Sequence, residues 1–217
     1  MFWNLVLAHL LGDFVFQNDW MVSKRDNLWV LSLHVCIHFI LMVILAGSAR
    51  AVIWPYLLLI AAIHLAQDRI KNSIMNKRPE WIRSGFIIDQ GVHIVIIWAV
   101  VLWIQDAAGP LSAPEKPVGI MVFMTYLFVT YVWYISERLF NRSNSDYLQN
   151  INDTKFPRML SRAGLVSLFL LVWGLGGAWL AMILSNPYPK TRFRQRSVLT
   201  DISVSLAAIV FLFWVFS

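Results

Sequence analysis

Apolar residues run along this chain in long stretches, separated by short polar clumps. Seven stretches read as candidate membrane spans: Phe2 to Phe16, Leu28 to Ala46, Val52 to Gln67, Phe86 to Ile104, Val118 to Ser136, Ala163 to Leu184, and Ile202 to Phe216. Most approach the roughly 20 residues that an α-helix needs to cross a hydrocarbon core of about 30 Å. The first and third are short and carry polar residues at one end. Trp20, Trp29, Trp54, Trp81, Trp103 and Tyr134 fall near the expected ends, where amphipathic rings settle at a membrane interface. The pattern predicts an all-α fold, a polytopic helical transmembrane bundle of about seven spans.

The connections divide the chain. Gln105 to Pro117 is rich in Pro and Gly, and Asn141 to Arg162 is polar enough to read as an extramembrane loop. All five histidines lie in the first four spans. A four-span core over residues 1–105 and a three-span accessory region over 106–217, with a polar loop at 138–162, is the expected organisation. Gly174, Gly176 and Gly177 lie at the centre of the sixth span and would allow a bent or re-entrant segment there, the alternative being a regular span whose following loop is an exception to the charge rule.

Composition sharpens the class. Of 217 residues, 59% are hydrophobic and only 14% charged, with a mean hydropathy of +0.63. A soluble domain would carry about a quarter charged residues. The net charge of +6 does not signal nucleic acid, because the bases cluster in loops between spans. With the N-terminus outside, 12 of the 18 Lys and Arg fall on the cytoplasmic side, as the positive-inside rule expects. Lys190, Arg192, Arg194 and Arg196 are the exception, which a re-entrant sixth span would remove. The first apolar run lacks a basic leader and a small-residue cleavage site, so it reads as a retained span. Cys36 permits no intrachain disulfide and reads as packing, while Glu137 and Tyr131 read as interfacial.

The candidate chemistry lies in the histidines. His9 precedes Asp13 by four residues, His34 precedes His38, His64 precedes Asp68, and Asp89 precedes His93. Four residues make about one helical turn, so each of the first four spans carries one pair on one face. A given His gains such a neighbour by chance about one time in eight. All five do so here. The pairs also alternate between late and early positions in successive spans, which brings them to one depth. That depth is roughly 5–12 Å below the face bearing Lys24, Arg25, Arg69, Lys71 and Arg83, at about 1.5 Å per residue.

Ionisable groups survive in hydrocarbon when they face the bundle interior, paired or bound. Imidazoles and carboxylates on facing helices are what bundle metal sites are made from. The candidate ligands are His9, Asp13, His34, His38, His64, Asp68, Asp89 and His93. Zn²⁺ suits them first, with Mn²⁺ and Fe²⁺ compatible. Eight groups exceed one tetrahedral shell, so some would hold a second ion or orient ligands. Gln17, Gln67 and Gln90 are expected around that shell, and Lys24, Arg69, Lys71 and Arg83 could grip an anionic lipid headgroup. Hydrogen-bond glue between helices is the bland alternative.

The run Leu7-Ala8-His9-Leu10-Leu11-Gly12-Asp13-Phe14-Val15-Phe16-Gln17 with Asp19-Trp20, then His34, His38, His64, Asp68, Lys71, Asp89, Gln90 and His93, resembles a bacterial membrane family catalogued as domain of unknown function 3307. The resemblance covers about residues 1–105. It implies a multi-span protein of the bacterial inner membrane and supplies no activity.

From the residues themselves, the leading expectation is a metal-dependent hydrolase acting on a lipid-like substrate that arrives laterally from the bilayer. Asp13, Asp68 or Asp89 would then be a ligand or the general base. A divalent-cation or proton transporter is the alternative, and a sensor or assembly subunit with a structural metal is a third. The sequence leaves the oligomeric state open.

Overall fold

The computed structural model describes residues 1–108, 117–171 and 193–216. Every element among them is helical. The re-entrant segment expected around Gly174, Gly176 and Gly177, the bases Lys190 and Arg192, and most of the Pro- and Gly-rich connection lie outside the described residues. The chain forms two compact units, Met1–Pro117 and Val118–Ser217.

In the first unit, α1 (Phe2–Leu11) runs into a π-helical turn at Gly12–Phe16 and a short α2 (Asp19–Ser23). Then come α3 (Leu28–Leu45), α4 (Arg50–Lys77) and α5 (Ile82–Ala108). Side-chain caps set the starts: Asn18 accepts from the Met21 amide at 2.9 Å, and Asn27 from the Trp29 amide at 2.9 Å. Gly47, at φ +59°, makes the sharp turn between α3 and α4 in a conformation that glycine adopts without steric cost. Helix α3 packs on α1 and α4, α5 packs on α4, and α1 packs on α5, which closes a ring of four helices.

Helix α4 is longer than the expected span from Val52 to Gln67, and only a short turn at Pro79–Trp81 separates it from α5. Its last three turns carry Arg69, Lys71 and Lys77, which a hydropathy reading assigns to a loop. They stay helical because one face remains buried, at Asp68, Asn72 and Met75, spaced three or four residues apart. The segment before α3 docks on this extension. The Asn72 amide donates to the Arg25 carbonyl at 3.0 Å, Arg69 to the Asp26 carbonyl at 3.1 Å, and Asn76 to the Asp26 carboxylate at 2.8 Å.

The second unit holds α6 (Val118–Leu127), a π-helical segment at Phe128–Val132, α7 (Trp133–Phe140), α8 (Ser145–Asp153), α9 (Lys155–Leu171) and α10 (Arg194–Phe216). Val129, Val166, Val204, Ala208 and Leu212 form its apolar core. The expected polar loop from Asn141 to Arg162 is instead mostly α8 and the start of α9. Its inward positions are Tyr147, Asn150, Ile151, Thr154, Arg158 and Arg162, a helical period written largely in polar residues.

Those polar residues meet partners. Arg158 grips Asp201 with two nitrogens at 2.8 and 2.7 Å and reaches Glu137 at 2.8 Å. Arg162 donates to Asp201 at 2.6 Å and to the Val129 carbonyl in the π-helical segment, where the wider turn turns a carbonyl outward. Tyr147 donates to Glu137 at 2.7 Å, and burial, then that hydrogen bond, raises its phenol above the usual range. Glu137 is therefore buried, not interfacial, whereas Tyr131 is 39% exposed. Helix α10 starts eight residues before the expected Ile202 because Ser197 and Asp201 are bound inside the unit.

Among the described residues, five helices are long and apolar enough to cross a membrane: Leu28–Leu45, Gly47–Lys77, Pro79–Asp106, Val118–Phe140 and Arg194–Val215. Phe2–Phe16 is a shorter apolar helix. Outward faces carry Ile44, Val52, Trp98, Phe213 and Trp214, each more than half exposed. Such apolar surface suits lipid rather than water. The molecule is an all-α polytopic membrane bundle. The count of about seven spans is approximate, since the sixth expected span, Ala163 to Leu184, is described only to Leu171.

Among the described residues of the second unit, the four buried charges, Glu137, Arg158, Arg162 and Asp201, offset one another, so removing one strands the others. Asp201→Asn is expected to lower stability by about 3–5 kcal/mol, seen as a depressed thermal midpoint in detergent. Asp153→Asn, at an exposed helix end, is expected to stay within about 0.5 kcal/mol of the parent. Equal midpoints for the two variants would contradict this reading.

Candidate metal centre

Each helix of the first unit delivers one pair to the interior. Helix α1 and its π-helical turn supply His9 and Asp13, α3 supplies His34 and His38, α4 supplies His64 and Asp68, and α5 supplies Asp89 and His93. All five imidazoles are at most 4% exposed, and Asp68 and Asp89 are also buried. Every imidazole ring centre lies 4.2–5.7 Å from at least two others. The eight residues singled out from sequence come together at one place.

Three subsets have ligand atoms within 4.8 Å of one another: Asp13, His34, His38 and His64; His9, His64 and His93; and Asp68, Asp89 and His93. In the first, Asp13 Oδ1 stands 3.0 Å from His38 Nε2 and 3.3 Å from His34 Nε2, and His34 Nε2 stands 3.4 Å from His64 Nε2. Ligands about 2.0–2.1 Å from a shared tetrahedral zinc stand roughly 3.3 Å apart. His64 also turns Nδ1 toward His93 Nδ1 at 3.1 Å, so both of its nitrogens face other imidazoles. Bare nitrogens this close repel unless a proton or a cation lies between them.

Charge gives a second constraint. The Lys71 ammonium joins Asp68 Oδ1 at 2.6 Å and Asp89 Oδ2 at 2.8 Å. Three carboxylates thus face one ammonium, and with neutral imidazoles the cluster carries two negative charges. Uncompensated charge in a low-dielectric interior costs many kcal/mol. One divalent cation, or two added protons, would balance it. Lys71 was expected at a lipid headgroup and is drawn into the cluster instead. Of the other headgroup candidates, Lys24 lies exposed over the Trp20 ring, Arg69 holds the Asp26 carbonyl, and Arg83 is exposed.

Surrounding groups fix the orientation of the carboxylates. The Gln90 amide donates to Asp13 Oδ2 at 2.8 Å while its oxygen meets His9 Nε2 at 3.2 Å. The Gln67 amide donates to the carbonyl and the carboxylate of Asp89 at 3.0 and 3.2 Å. Gln17 does not join them. It lies beyond the π-helical turn, where the backbone becomes extended (φ −80°, ψ 102°), so the helical stripe that would have carried it inward has ended. Cys36 is exposed on the outer face of α3 rather than packed.

Sequence reasoning missed Gly12. A Cβ built there would collide with the His38 ring, the Cδ2 atom lying 2.7 Å away. The glycine between His9 and Asp13 is what lets α3 bring His38 against α1. A glycine inside an apolar helix was the available signal.

A cavity of about 10 Å³, close to the space that one water needs, adjoins the imidazoles of His9, His38, His64 and His93. Met42, Ile60 and Ile97 border its other side. Each lies deeper in its helix than the neighbouring histidine, so the cavity is on the side of the cluster opposite Lys71.

Gly12→Ala is expected to cost about 1–3 kcal/mol through overpacking and to displace His38. Gly91→Ala, whose Cβ would meet nothing within 4 Å, is expected to be silent although it sits beside Gln90. Histidine NMR of the two variants separates them: shifted imidazole signals in the first and parental ones in the second. Parental signals in both would contradict the close fit.

No curated protein and no solved structure matches the chain. A family model described as a protein of unknown function, DUF3307, matches residues 1–115, which is more than half of the chain and includes all four helices that carry the cluster. The chain belongs to the DUF3307 family.

Proposed function

We propose that this protein is a metalloprotein of the bacterial inner membrane, a metal-dependent hydrolase of lipid-like substrates. Its ion, Zn²⁺ in first place with Mn²⁺ and Fe²⁺ compatible, would be held by three of Asp13, His34, His38 and His64, which leaves the fourth tetrahedral position to water. The observation that carries the proposal is the spacing of Asp13, His34, His38 and His64 as ligands of one ion, beside a group of three carboxylates that has one ammonium. The cluster end of the helices also bears Lys24, Arg25, Arg69, Lys77, Arg78 and Arg83, which supports a cytoplasmic-side site and an N-terminus outside.

A divalent ion bound there supplies Lewis acidity and lowers the pKa of a bound water toward neutrality. The protein supplies the rest. Gln90 holds Asp13 toward His34 and His38. Lys71 bridges Asp68 and Asp89 from the loop side and offsets one of their two charges. His9 borders the small cavity, 3.7 Å from Asp13 Oδ2, and is best placed to take a proton from water there. That moves the general base from the carboxylates expected from sequence to an imidazole oriented by the Gln90 oxygen.

One observation favours a second reading, a proton or divalent-cation carrier. Polar atoms follow one another from the part-exposed Lys71 through Asp68 and His93 to His64 and His34. Proteoliposome flux of protons, Zn²⁺ or Mn²⁺ tests it, and a null across all three removes it. A structural ion in a sensor or assembly subunit would give bound metal without turnover.

Elemental analysis of purified protein is expected to find about one zinc per chain and, for Gln90→Ala, about 10–100-fold weaker retention against a chelator. The His34→Ala, His38→Ala double variant is expected to retain none. A parent protein without stoichiometric metal would overturn the proposal. Lipid profiling of cells expressing the parent or His9→Ala tests the hydrolase: a lipid that accumulates only with the variant is expected, and identical profiles would leave the carrier or structural role.

A further inference from the structure

Asp68, Asp89 and His93 make a third of the cluster that differs from the rest, because a cation already lies in it. His93 is 3% exposed, and its Nε2 makes no hydrogen bond; the nearest acceptors, Asp89 Oδ1 and Asp68 Oδ1, stand 3.4 and 3.7 Å away. A buried nitrogen aimed between two carboxylates without a hydrogen bond to either has the geometry of a ligand set. The other oxygen of Asp89 and the same oxygen of Asp68 hold Lys71 Nζ at 2.8 and 2.6 Å.

We infer that Asp68, Asp89 and His93 form a second divalent-cation site whose place is taken by the ammonium of Lys71, so that the protein holds one ion rather than two. The inference rests on the proposed metal centre and specifies its nuclearity. The physical basis is charge and geometry. An ammonium is a compact, strongly hydrated point charge on a flexible stem, able to sit between two carboxylates much as an ion does. It brings one positive charge where a metal would bring two, and leaves the cluster able to balance a single divalent ion. Lys71 also lies three residues from Asp68 on the same face of α4, so the ammonium is delivered locally, whatever the metal supply.

The arrangement has a consequence for the first site. Asp68 Oδ2 lies 3.6 Å from His34 Nε2 and 3.5 Å from His64 Nε2, close enough to compete for the same ion. Lys71 holds the other oxygen of Asp68 toward the loop side and thereby leaves Asp13 as the first-site carboxylate. Lys71 is a positioning residue here.

Metal stoichiometry in Lys71→Met and Lys71→Gln tests the inference, with Lys71→Arg keeping the charge. Each full-length variant is purified in lipid nanodiscs, loaded with Mn²⁺ and read by elemental analysis and electron paramagnetic resonance. Expected are one Mn²⁺ per chain in the parent and Lys71→Arg, and two, with the signature of a spin-coupled pair, in Lys71→Met or Lys71→Gln. One uncoupled ion in every variant would overturn the second site and leave the metal centre standing. Two ions in the parent would overturn the role of Lys71 alone. No ion in the parent would overturn the metal centre itself.

Discussion

Three carboxylates buried inside a helical bundle, with one ammonium among them, create an electrostatic deficit that the first unit must offset. Asp13, Asp68 and Asp89 sit with Lys71 in a region where burial makes unpaired charge expensive. Five imidazoles surround them, groups able either to bind a metal or to take up protons. The ring of four helices is arranged for this meeting. The close fit of Gly12 against His38, the cap of Asn27 on α3 and the docking of the Arg25–Asn27 segment on the α4 extension all fix how deep and how near the ligands lie. The Gln67 and Gln90 amides then lock two of the carboxylates in orientation.

The second unit shows what a self-sufficient buried network looks like. Glu137 and Asp201 face Arg158 and Arg162, so the signs cancel; the Tyr147 hydroxyl donates to Glu137, and Arg162 also reaches the Val129 carbonyl. Such a network ties α7, α8, α9 and α10 together and needs nothing from outside. The cluster of the first unit differs in both respects, through its excess negative charge and its opposed imidazole nitrogens. Burial and polarity alone would not separate a binding site from a structural tie. The two networks differ in charge balance, and the proposed metal centre rests on that difference.

Most of this was legible in the chain. The repeat of His and Asp at four-residue spacing, at alternating ends of successive spans, identified the eight converging residues because an α-helix keeps such neighbours on one face. Lys71 was misread because charged residues beyond an apolar run look like loop, and hydropathy does not register that Asp68, Asn72 and Met75 continue a buried stripe. The same limitation hid Arg158 and Arg162. Their helical period, shared with Tyr147, Asn150 and Thr154, was present in the sequence, but its polar residues pair inward with Glu137 and Asp201, which are distant along the chain. Gln17 failed for the opposite reason: the stripe was extrapolated past the point where the backbone leaves the helix.

The account depends on a metal held by imidazoles and a carboxylate within the bundle. X-ray absorption at the zinc edge of the purified, zinc-loaded protein reads that shell directly. The account expects four nitrogen or oxygen neighbours at about 2.0–2.1 Å, with the outer-shell scattering of several imidazole rings. A six-coordinate shell of water oxygens without imidazole scattering, or zinc that washes away entirely, would contradict it.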